Sequence, residues 1–269
     1  EVGYGEDSHC DHAKELIKSY LGTTDCDIHF IPGGTLTNLI AISSFLRPHE
    51  ACIAPFTGHI ATHETGAIEA TGHKIIELQT STSKLTPDMI APTLKEHHFE
   101  HMVKPKMVYI SNPTELGVVY SSDELEELYA FCQANDLYLY CDGARMGMAL
   151  TIEPSVVTLE DMAKYTDAFF IGGAKVGALV GEALVISNPA LKSDMRYYIK
   201  QKGALLSKGR LLGIQFEALF TDNLYFDLAR HGNELAQMIA EALKEVGCDF
   251  LIDSPTNQVF PILKNDDIK

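Results

Sequence analysis

Residues 107–145 read MVYISNPTELGVVYSSDELEELYAFCQANDLYLYCDGAR, and this stretch decides the fold. Two short apolar runs, 107–110 and 137–141, flank a segment whose apolar residues recur at i, i+3, i+4 and i+7. Ser121 and Glu124 have the spacing of a capping box at the start of that segment. A helix between two short strands is typical of a parallel strand pair joined by a crossover.

The same alternation continues on both sides of this unit. Before it we predict a helix from about Thr35 to just before Pro48 and a strand at 51–54. A second helix at 59–71 and another strand at 74–78 follow. After it we predict a strand at 168–171, a strand at 178–186 interrupted by Gly181, and helices at about 207–220 and 224–246. Short strands are expected at 250–252 and 259–263. The pattern predicts an α/β fold with a mostly parallel sheet between helices.

The domain organisation follows from where the long helices fall. We expect a large domain over residues 1–222 and the start of a small α+β C-terminal domain over residues 223–269. The first residues lack the basic and apolar regions of a signal peptide, and both ends resemble the interior of a longer chain. We therefore expect further segments beyond both ends.

Composition excludes several classes of partner. A formal net charge of −16 without a segregated basic patch disfavours nucleic acid and anionic membrane surfaces. No apolar run has the roughly 18 residues that a membrane-spanning helix needs. The six cysteines form no CxxC pair or framework spacing, which favours reduced thiols and a cytoplasmic location.

An acid and a lysine each follow a predicted strand. Asp142 follows the run 137–141, Lys175 follows the run 168–171, and glycines lie beside both. Open α/β sheets bind ligands beyond the carboxyl ends of their strands. Pyridoxal phosphate requires a lysine amine for a Schiff base and a carboxylate that keeps its ring nitrogen protonated. The pair therefore indicates a pyridoxal phosphate site, in which the apolar, glycine-rich surroundings desolvate Lys175 and lower its pKa.

Three further positions are candidates for binding. Gly33, Gly34 and Thr35 begin a predicted helix, and main-chain N–H groups at a helix N-terminus can bind phosphate. Paired glycines there are also compatible with a simple turn. Arg145 follows Asp142 by three residues, and its guanidinium suits either a substrate carboxylate or a structural ion pair.

The histidines allow a different hypothesis. His59 and His63 would share one face of a helix, as in some zinc sites. The HExxH pattern fails because Ala67 occupies the second histidine position after His63 and Glu64, and no third ligand has a suitable spacing. We therefore predict no metal site.

Taken together, these residues resemble the threonine aldolase and β-eliminating lyase group of fold-type I pyridoxal phosphate enzymes. The segments that carry the resemblance are Gly3-Tyr4-Gly5-Glu6-Asp7, Gly33-Gly34-Thr35 with Asn38, Gly58-His59 with Glu64, Ser111-Asn112-Pro113-Thr114 with Gly117, Asp142-Gly143-Ala144-Arg145, and Gly172-Gly173-Ala174-Lys175. They extend through almost the whole chain.

The resemblance implies roles for the site residues. It implies that Lys175 binds the cofactor as a Schiff base, Asp142 pairs with the pyridine nitrogen and His59 stacks on the ring. Gly33, Gly34 and Thr35 would bind the phosphate, and Arg145 would contact the substrate carboxylate or the cofactor. His59, His63 or a water would remove the proton from the β-hydroxyl group.

The resemblance also implies an activity. Similar enzymes cleave threonine or allo-threonine to glycine and acetaldehyde, as dimers or tetramers whose sites are shared between subunits.

Two features depart from the family pattern: Ala174 replaces a hydroxyl residue before the lysine, and the family's N-terminal substrate segment and C-terminal arginine do not lie within this sequence. β-Elimination, transamination, a non-catalytic subunit and a histidine-bound metal hydrolase remain alternatives.

Overall fold

A computed structural model of the protein describes residues 2–263, and its main feature is a twisted seven-stranded sheet. The strands of this sheet are β1 (Asp27–Ile31), β2 (Glu50–Pro55), β3 (Ile75–Leu78), β4 (Lys104–Ser111), β5 (Tyr138–Asp142), β6 (Ala168–Gly172) and β7 (Glu182–Ile186). Their order is β1-β7-β6-β5-β4-β2-β3. The five strands from β6 to β3 run parallel, and β7 is antiparallel to both β6 and β1. The predicted α/β fold with a mostly parallel sheet is confirmed.

Helices connect the strands and continue after the sheet. They are α1 (Ser8–Tyr20), α2 (Gly34–Phe45), α3 (His59–Thr62), α4 (Pro87–Glu96), α5 (Ser122–Ala134), α6 (Met146–Leu150), α7 (Leu159–Lys164), α8 (Met195–Gln201), α9 (Arg210–Phe220) and α10 (Leu224–Glu245). A two-stranded antiparallel ladder follows, formed by β8 (Asp249–Phe250) and β9 (Pro261–Ile262). Within residues 2–263, no helix combines the length and the apolar character needed to cross a bilayer.

Both faces of the sheet are buried. Along β4, Val108 and Ile110 pack into one hydrophobic cluster, while Met107 and Tyr109 pack into the other. Successive strand residues point to opposite faces, so this alternation places one apolar core on each side of the sheet. Such two-sided burial explains why the central strands read as continuous apolar runs.

The predicted unit at 107–145 is present as β4, α5 and β5. The Ser121 hydroxyl accepts from the Glu124 main-chain N–H, and the Glu124 carboxylate accepts from the Ser121 N–H, so the capping box is formed. The chain then returns to the sheet at Tyr138. This return places Asp142 at the carboxyl end of a central strand.

Two predicted elements are much shorter than expected, and the strands expected at 250–252 and 259–263 are reduced to Asp249–Phe250 and Pro261–Ile262. The helix expected over 59–71 ends at Thr62, and only a 3-10 turn, Glu69–Thr71, follows. Thr65 and Gly66 between them have φ values of 54° and 72°, which a right-handed helix cannot include. The strand expected over 178–186 begins only at Glu182, because Gly181, at φ 118°, ends the preceding loop.

The boundary expected between residues 222 and 223 lies in the 3-10 turn Thr221–Asn223, just before α10. This helix packs on α6 and α9. The division into two domains stays a prediction, and residues 264–269 of the expected C-terminal domain lie outside the described residues.

Tyr225 anchors α10 to the centre of the fold, and its removal provides a stability test. Its buried hydroxyl donates to the Gly172 carbonyl at 3.1 Å and accepts the Gly147 N–H at 3.0 Å. Tyr225→Phe leaves both buried main-chain groups unpaired, so we expect the free energy of unfolding to fall by about 1–3 kcal/mol. Urea denaturation measures this loss. Tyr197→Phe, at a 77% exposed position, is the matched control, and an equal loss in the control would contradict the assignment.

Candidate active site

Asp142 and Lys175 line one cavity of about 210 Å³ beyond the carboxyl ends of β5 and β6. The predicted site residues Gly34, Thr35, His59 and Arg145 line the same cavity, whereas Gly33, which was predicted with them, is not among its lining residues. These residues come from four separate segments of the chain. The fold therefore brings the predicted acid and amine together at one site.

Two glycines allow the loops that carry this pair to pack against each other. A Cβ atom at Gly143 would lie 1.8 Å from the Phe170 carbonyl oxygen, and one at Gly172 would lie 2.3 Å from the Ala144 carbonyl oxygen. The Gly172 N–H donates to the Gly143 carbonyl at 2.9 Å. Because no larger residue fits at either position, the glycines beside the acid and the lysine are explained by close packing between the two strand ends.

Asp142 is held by three hydrogen-bond donors. Its Oδ2 accepts from the Tyr109 hydroxyl at 2.8 Å and from Asn38 Nδ2 at 3.0 Å, and its Oδ1 accepts the Ala144 N–H at 3.0 Å. The residue is only 5% exposed. A buried carboxylate with this set of donors is fixed in position and suited to face a cationic group in the cavity.

Lys175 has a lowered pKa, as predicted, although its desolvation is incomplete. Partial burial of the amine is the main cause, and the nearby Arg145 cation adds to it; Asp142, Glu182 and Glu115 oppose the shift. The residue as a whole nevertheless remains exposed. The predicted desolvation of Lys175 is therefore present but partial, and the residue lies at an open side of the cavity.

Arg145 forms no ion pair within residues 2–263. Burial lowers the pKa of its half-buried guanidinium, while Asp142 and Glu115 act in the opposite direction. The structural ion pair that we considered for this residue is therefore not found in the described chain. The guanidinium stays available for an anionic group in the cavity.

The predicted phosphate-binding segment forms the first turn of α2. Gly33 is the N-cap residue and, because it lacks a side chain, it cannot cap the helix through a side-chain hydrogen bond. Gly34 and Thr35 follow as the first helical residues. Main-chain N–H groups in a first turn have no partner inside the helix. This end of α2 therefore provides a favourable environment for an anion next to Lys175.

The two histidines do not form a metal site with a third ligand among residues 2–263. The His59 ring contacts the Glu64 carboxylate, and the His63 ring contacts the Thr62 hydroxyl. Their rings stack with centroids 5.6 Å apart. His59 thus faces the cavity as part of a hydrogen-bonded group.

Two cavity acids were not singled out from the sequence. Glu115 Oε1 accepts the His59 main-chain N–H at 3.0 Å and the Ser111 hydroxyl at 2.7 Å, and burial raises the pKa of this carboxyl group. Glu182 accepts the Gly173 N–H at 2.9 Å, and burial raises its pKa to about 8. The sequence did contain a signal for Glu182, because it is a charged residue inside the apolar run 178–186. Glu115 lies within the recognised segment between Ser111 and Gly117, but its spacing gave no role.

The chemical groups that line the cavity can be compared with the groups of pyridoxal phosphate. It presents an amine, a carboxylate held by donors, a helix N-terminus and a guanidinium without an ion-pair partner in the described chain. These groups match, in turn, the aldehyde, the protonated ring nitrogen and the phosphate of the cofactor, and the carboxylate of an amino acid. The residues present fit the cofactor.

Comparison with known proteins agrees with this geometry. The sequence model described as β-eliminating lyase matches residues 1–266. The chain belongs to the β-eliminating lyase family. A low-specificity L-threonine aldolase of Pseudomonas aeruginosa is 32% identical over 266 residues, covering 97% of this chain and 76% of the relative. One from Escherichia coli is 28% identical, covering 86% of this chain and 68% of the relative.

Solved structures place this β-eliminating lyase family member among the fold-type I pyridoxal phosphate enzymes. A threonine aldolase of Leishmania major superposes with a TM-score of 0.98 at 51% identity, covering all of this chain and 78% of that chain. An aspartate aminotransferase of Thermus thermophilus, at 15% identity and a TM-score of 0.68, shares the fold over 90% of this chain and 65% of its own. The predicted fold type is confirmed.

Proposed function

We propose that the protein is a pyridoxal phosphate-dependent lyase that cleaves the Cα–Cβ bond of threonine or allo-threonine, giving glycine and acetaldehyde. The observation that supports this most strongly is that Lys175 and Asp142 line one cavity together with Arg145. Membership in the β-eliminating lyase family, and the named activity of the threonine aldolases similar to this chain, agree with it.

Different residues bind different parts of the cofactor. We assign Lys175 to the cofactor aldehyde and Asp142 to its ring nitrogen. The first turn of α2, with Gly33, Gly34 and Thr35, binds its phosphate. When bound, pyridoxal phosphate supplies an electron sink for the bond that breaks.

The remaining groups orient the substrate. The Arg145 guanidinium binds the amino acid carboxylate, because its planar pair of donors matches two carboxylate oxygens. His59 covers the cofactor ring from the cavity wall. His59, His63 or a water accepts the proton of the substrate β-hydroxyl group, and the choice among them is open.

We also propose that the protein acts as a homo-oligomer, a dimer or tetramer, in the cytoplasm. Exposed apolar side chains near the site favour a second copy of the chain as partner: Leu179, in the loop between Lys175 and β7, is 95% exposed, and Leu211 on α9 is 58% exposed. Light scattering of the purified protein tests this, and a monomer at micromolar concentration would refute it. The scattered cysteines without a disulfide framework support the location.

The decisive experiment combines a spectrum with product analysis. We expect the purified protein with pyridoxal phosphate to show a visible absorbance that borohydride removes, and the reduced adduct to map to the peptide containing Lys175. Threonine should then yield equal amounts of glycine and acetaldehyde. Pyruvate formed together with ammonia from serine or cysteine would favour β-elimination instead. A keto acid formed without release of ammonia would favour transamination. A bound cofactor without any turnover would favour a non-catalytic subunit.

A further inference from the structure

A fully buried carboxylate lies directly behind His59. The Glu64 side chain is 0% exposed, and its Oε1 lies 2.8 Å from His59 Nδ1. The same oxygen accepts from Asn38 Nδ2 at 2.8 Å. The second oxygen, Oε2, is buried and has no hydrogen-bond partner among residues 2–263. All polar contacts of this carboxylate therefore pass through one atom, which is shared between a cavity residue and a core amide.

The Asn38 amide has only one orientation that satisfies its neighbours. Its Oδ1 accepts from the Tyr140 hydroxyl at 3.0 Å, so its Nδ2 must face the two carboxylates. One N–H donates to Glu64 Oε1 and the other to Asp142 Oδ2. Asn38 thus joins the acid assigned to the cofactor ring nitrogen to the acid behind His59.

This arrangement determines how His59 is held. A carboxylate can only accept, so Nδ1 of His59 carries the proton that faces Glu64. Its Nε2 has no protein partner within the described chain and is free for a ligand. The main-chain N–H of His59 is bound separately, by Glu115 Oε1 at 3.0 Å. The ring is therefore fixed through Nδ1, and the backbone is fixed through a different acid.

The charges around the ring favour its protonated form. The hydrogen bond to Glu64 is the main cause of a raised His59 pKa; burial opposes it, the charges of Asp142 and Glu64 support it, and that of Lys175 opposes it. Glu115 and the stacked ring of His63 are the other titratable groups that face His59. Glu64 is thus the neighbour with the largest influence on this histidine.

A purely structural role does not account for this carboxylate. A buried acid with one unpartnered oxygen is costly, because a charge is removed from water without a full set of hydrogen bonds in return. Departures of this kind from a well-satisfied core are expected at functional sites.

We propose that Glu64 is a positioning residue: it fixes the His59 ring through Nδ1, keeps a proton on that nitrogen, and links the ring through Asn38 to Asp142. The inference rests on the proposed function in that His59 is taken to cover the cofactor ring. The bridge itself is a property of the protein alone and can be measured without cofactor.

The first test follows the His59 ring proton by NMR across pH in cofactor-free protein, with the signal assigned from its loss in His59→Gln. We expect His59 to titrate above the ordinary histidine range in the wild type and at a lower pH in Glu64→Gln. Glu64→Asp keeps the charge and should remain closer to the wild type. Glu127→Gln, on the exposed face of α5, is the surface control. A wild-type His59 that titrates at or below the ordinary value overturns the proposal without any variant.

The second test measures threonine cleavage with pyridoxal phosphate bound. Glu64→Gln keeps an acceptor for His59 Nδ1 but replaces a charge-assisted hydrogen bond by a weaker neutral one, so the ring is held less firmly and kcat/KM should fall by up to about 10²-fold. The pH profile should move in the same direction as the His59 titration, with partial recovery in Glu64→Asp. Loss of activity without a change in the His59 titration would mean a structural role and overturns the proposal. If the wild type does not cleave threonine but His59 still shifts in Glu64→Gln, the proposed function fails while the bridge is supported.

Discussion

Lys175→Ala is expected to abolish threonine cleavage, lowering kcat/KM by roughly 10³-fold or more. The lysine is the one amine that lines the cavity within the described chain, and its lowered pKa increases the fraction that is unprotonated and able to condense with an aldehyde at neutral pH. Without this amine, the cofactor cannot be attached covalently to the protein. There is also no lysine that the substrate amine could displace from the cofactor aldehyde. The measurement is the rate of acetaldehyde formation together with the visible absorbance of the protein.

Stability and attachment can be separated in the same experiment. Lys175 forms no hydrogen bond or ion pair within residues 2–263 and is exposed, so we expect the Ala variant to unfold at the same urea concentration as the wild type. Lys95→Ala on the exposed face of α4 is the matched control and should retain full activity. A Lys175→Ala protein that still gave a borohydride-stable adduct at the site would show that another amine binds the cofactor.

The sequence was sufficient for the parts of the fold that depend on local patterns. The unit from β4 to β5 combined apolar runs, a capping box and helical periodicity, and each feature is present in the structure. Elements set by tertiary contacts were less predictable. No element was assigned to residues 8–31: the edge strand β1 is only partly buried and lacks a continuous apolar run, whereas α1, capped by Asp7, carries local signals that the prediction missed.

The candidate site shows the same division. Asp142 and Lys175 were predictable because each follows a strand, and strand ends meet at one edge of the sheet. The contacts between them and their supports join residues far apart in sequence, such as Asn38 and Asp142, which no spacing rule connects. Glu64 was named beside His59 in the family resemblance, but its contact with the His59 ring required coordinates, since the helix ends at Thr62 and no helical spacing connects the two residues.

Asp142→Asn is expected to leave the cofactor on Lys175 and still lower threonine cleavage by about 10²- to 10³-fold. The substitution keeps the shape of the side chain but removes the negative charge that holds a proton on the ring nitrogen. Electron withdrawal from the breaking bond weakens as a consequence, while condensation at Lys175 does not require this acid. Borohydride reduction should therefore still label Lys175, which distinguishes this variant from Lys175→Ala.

The local cost of Asp142→Asn is also predictable. Its oxygen can keep the donors Tyr109 and Asn38, but its new amide group then faces the Ala144 N–H, so one hydrogen bond is lost and stability falls by about 1–3 kcal/mol. Asp167→Asn is the control, because Asp167 is equally buried but lies just before β6, at the end of the strand away from the cavity. The control should lose stability and retain kcat. If both variants lost stability and activity in proportion, the effect of Asp142 would be structural, and its assignment to the ring nitrogen would be wrong.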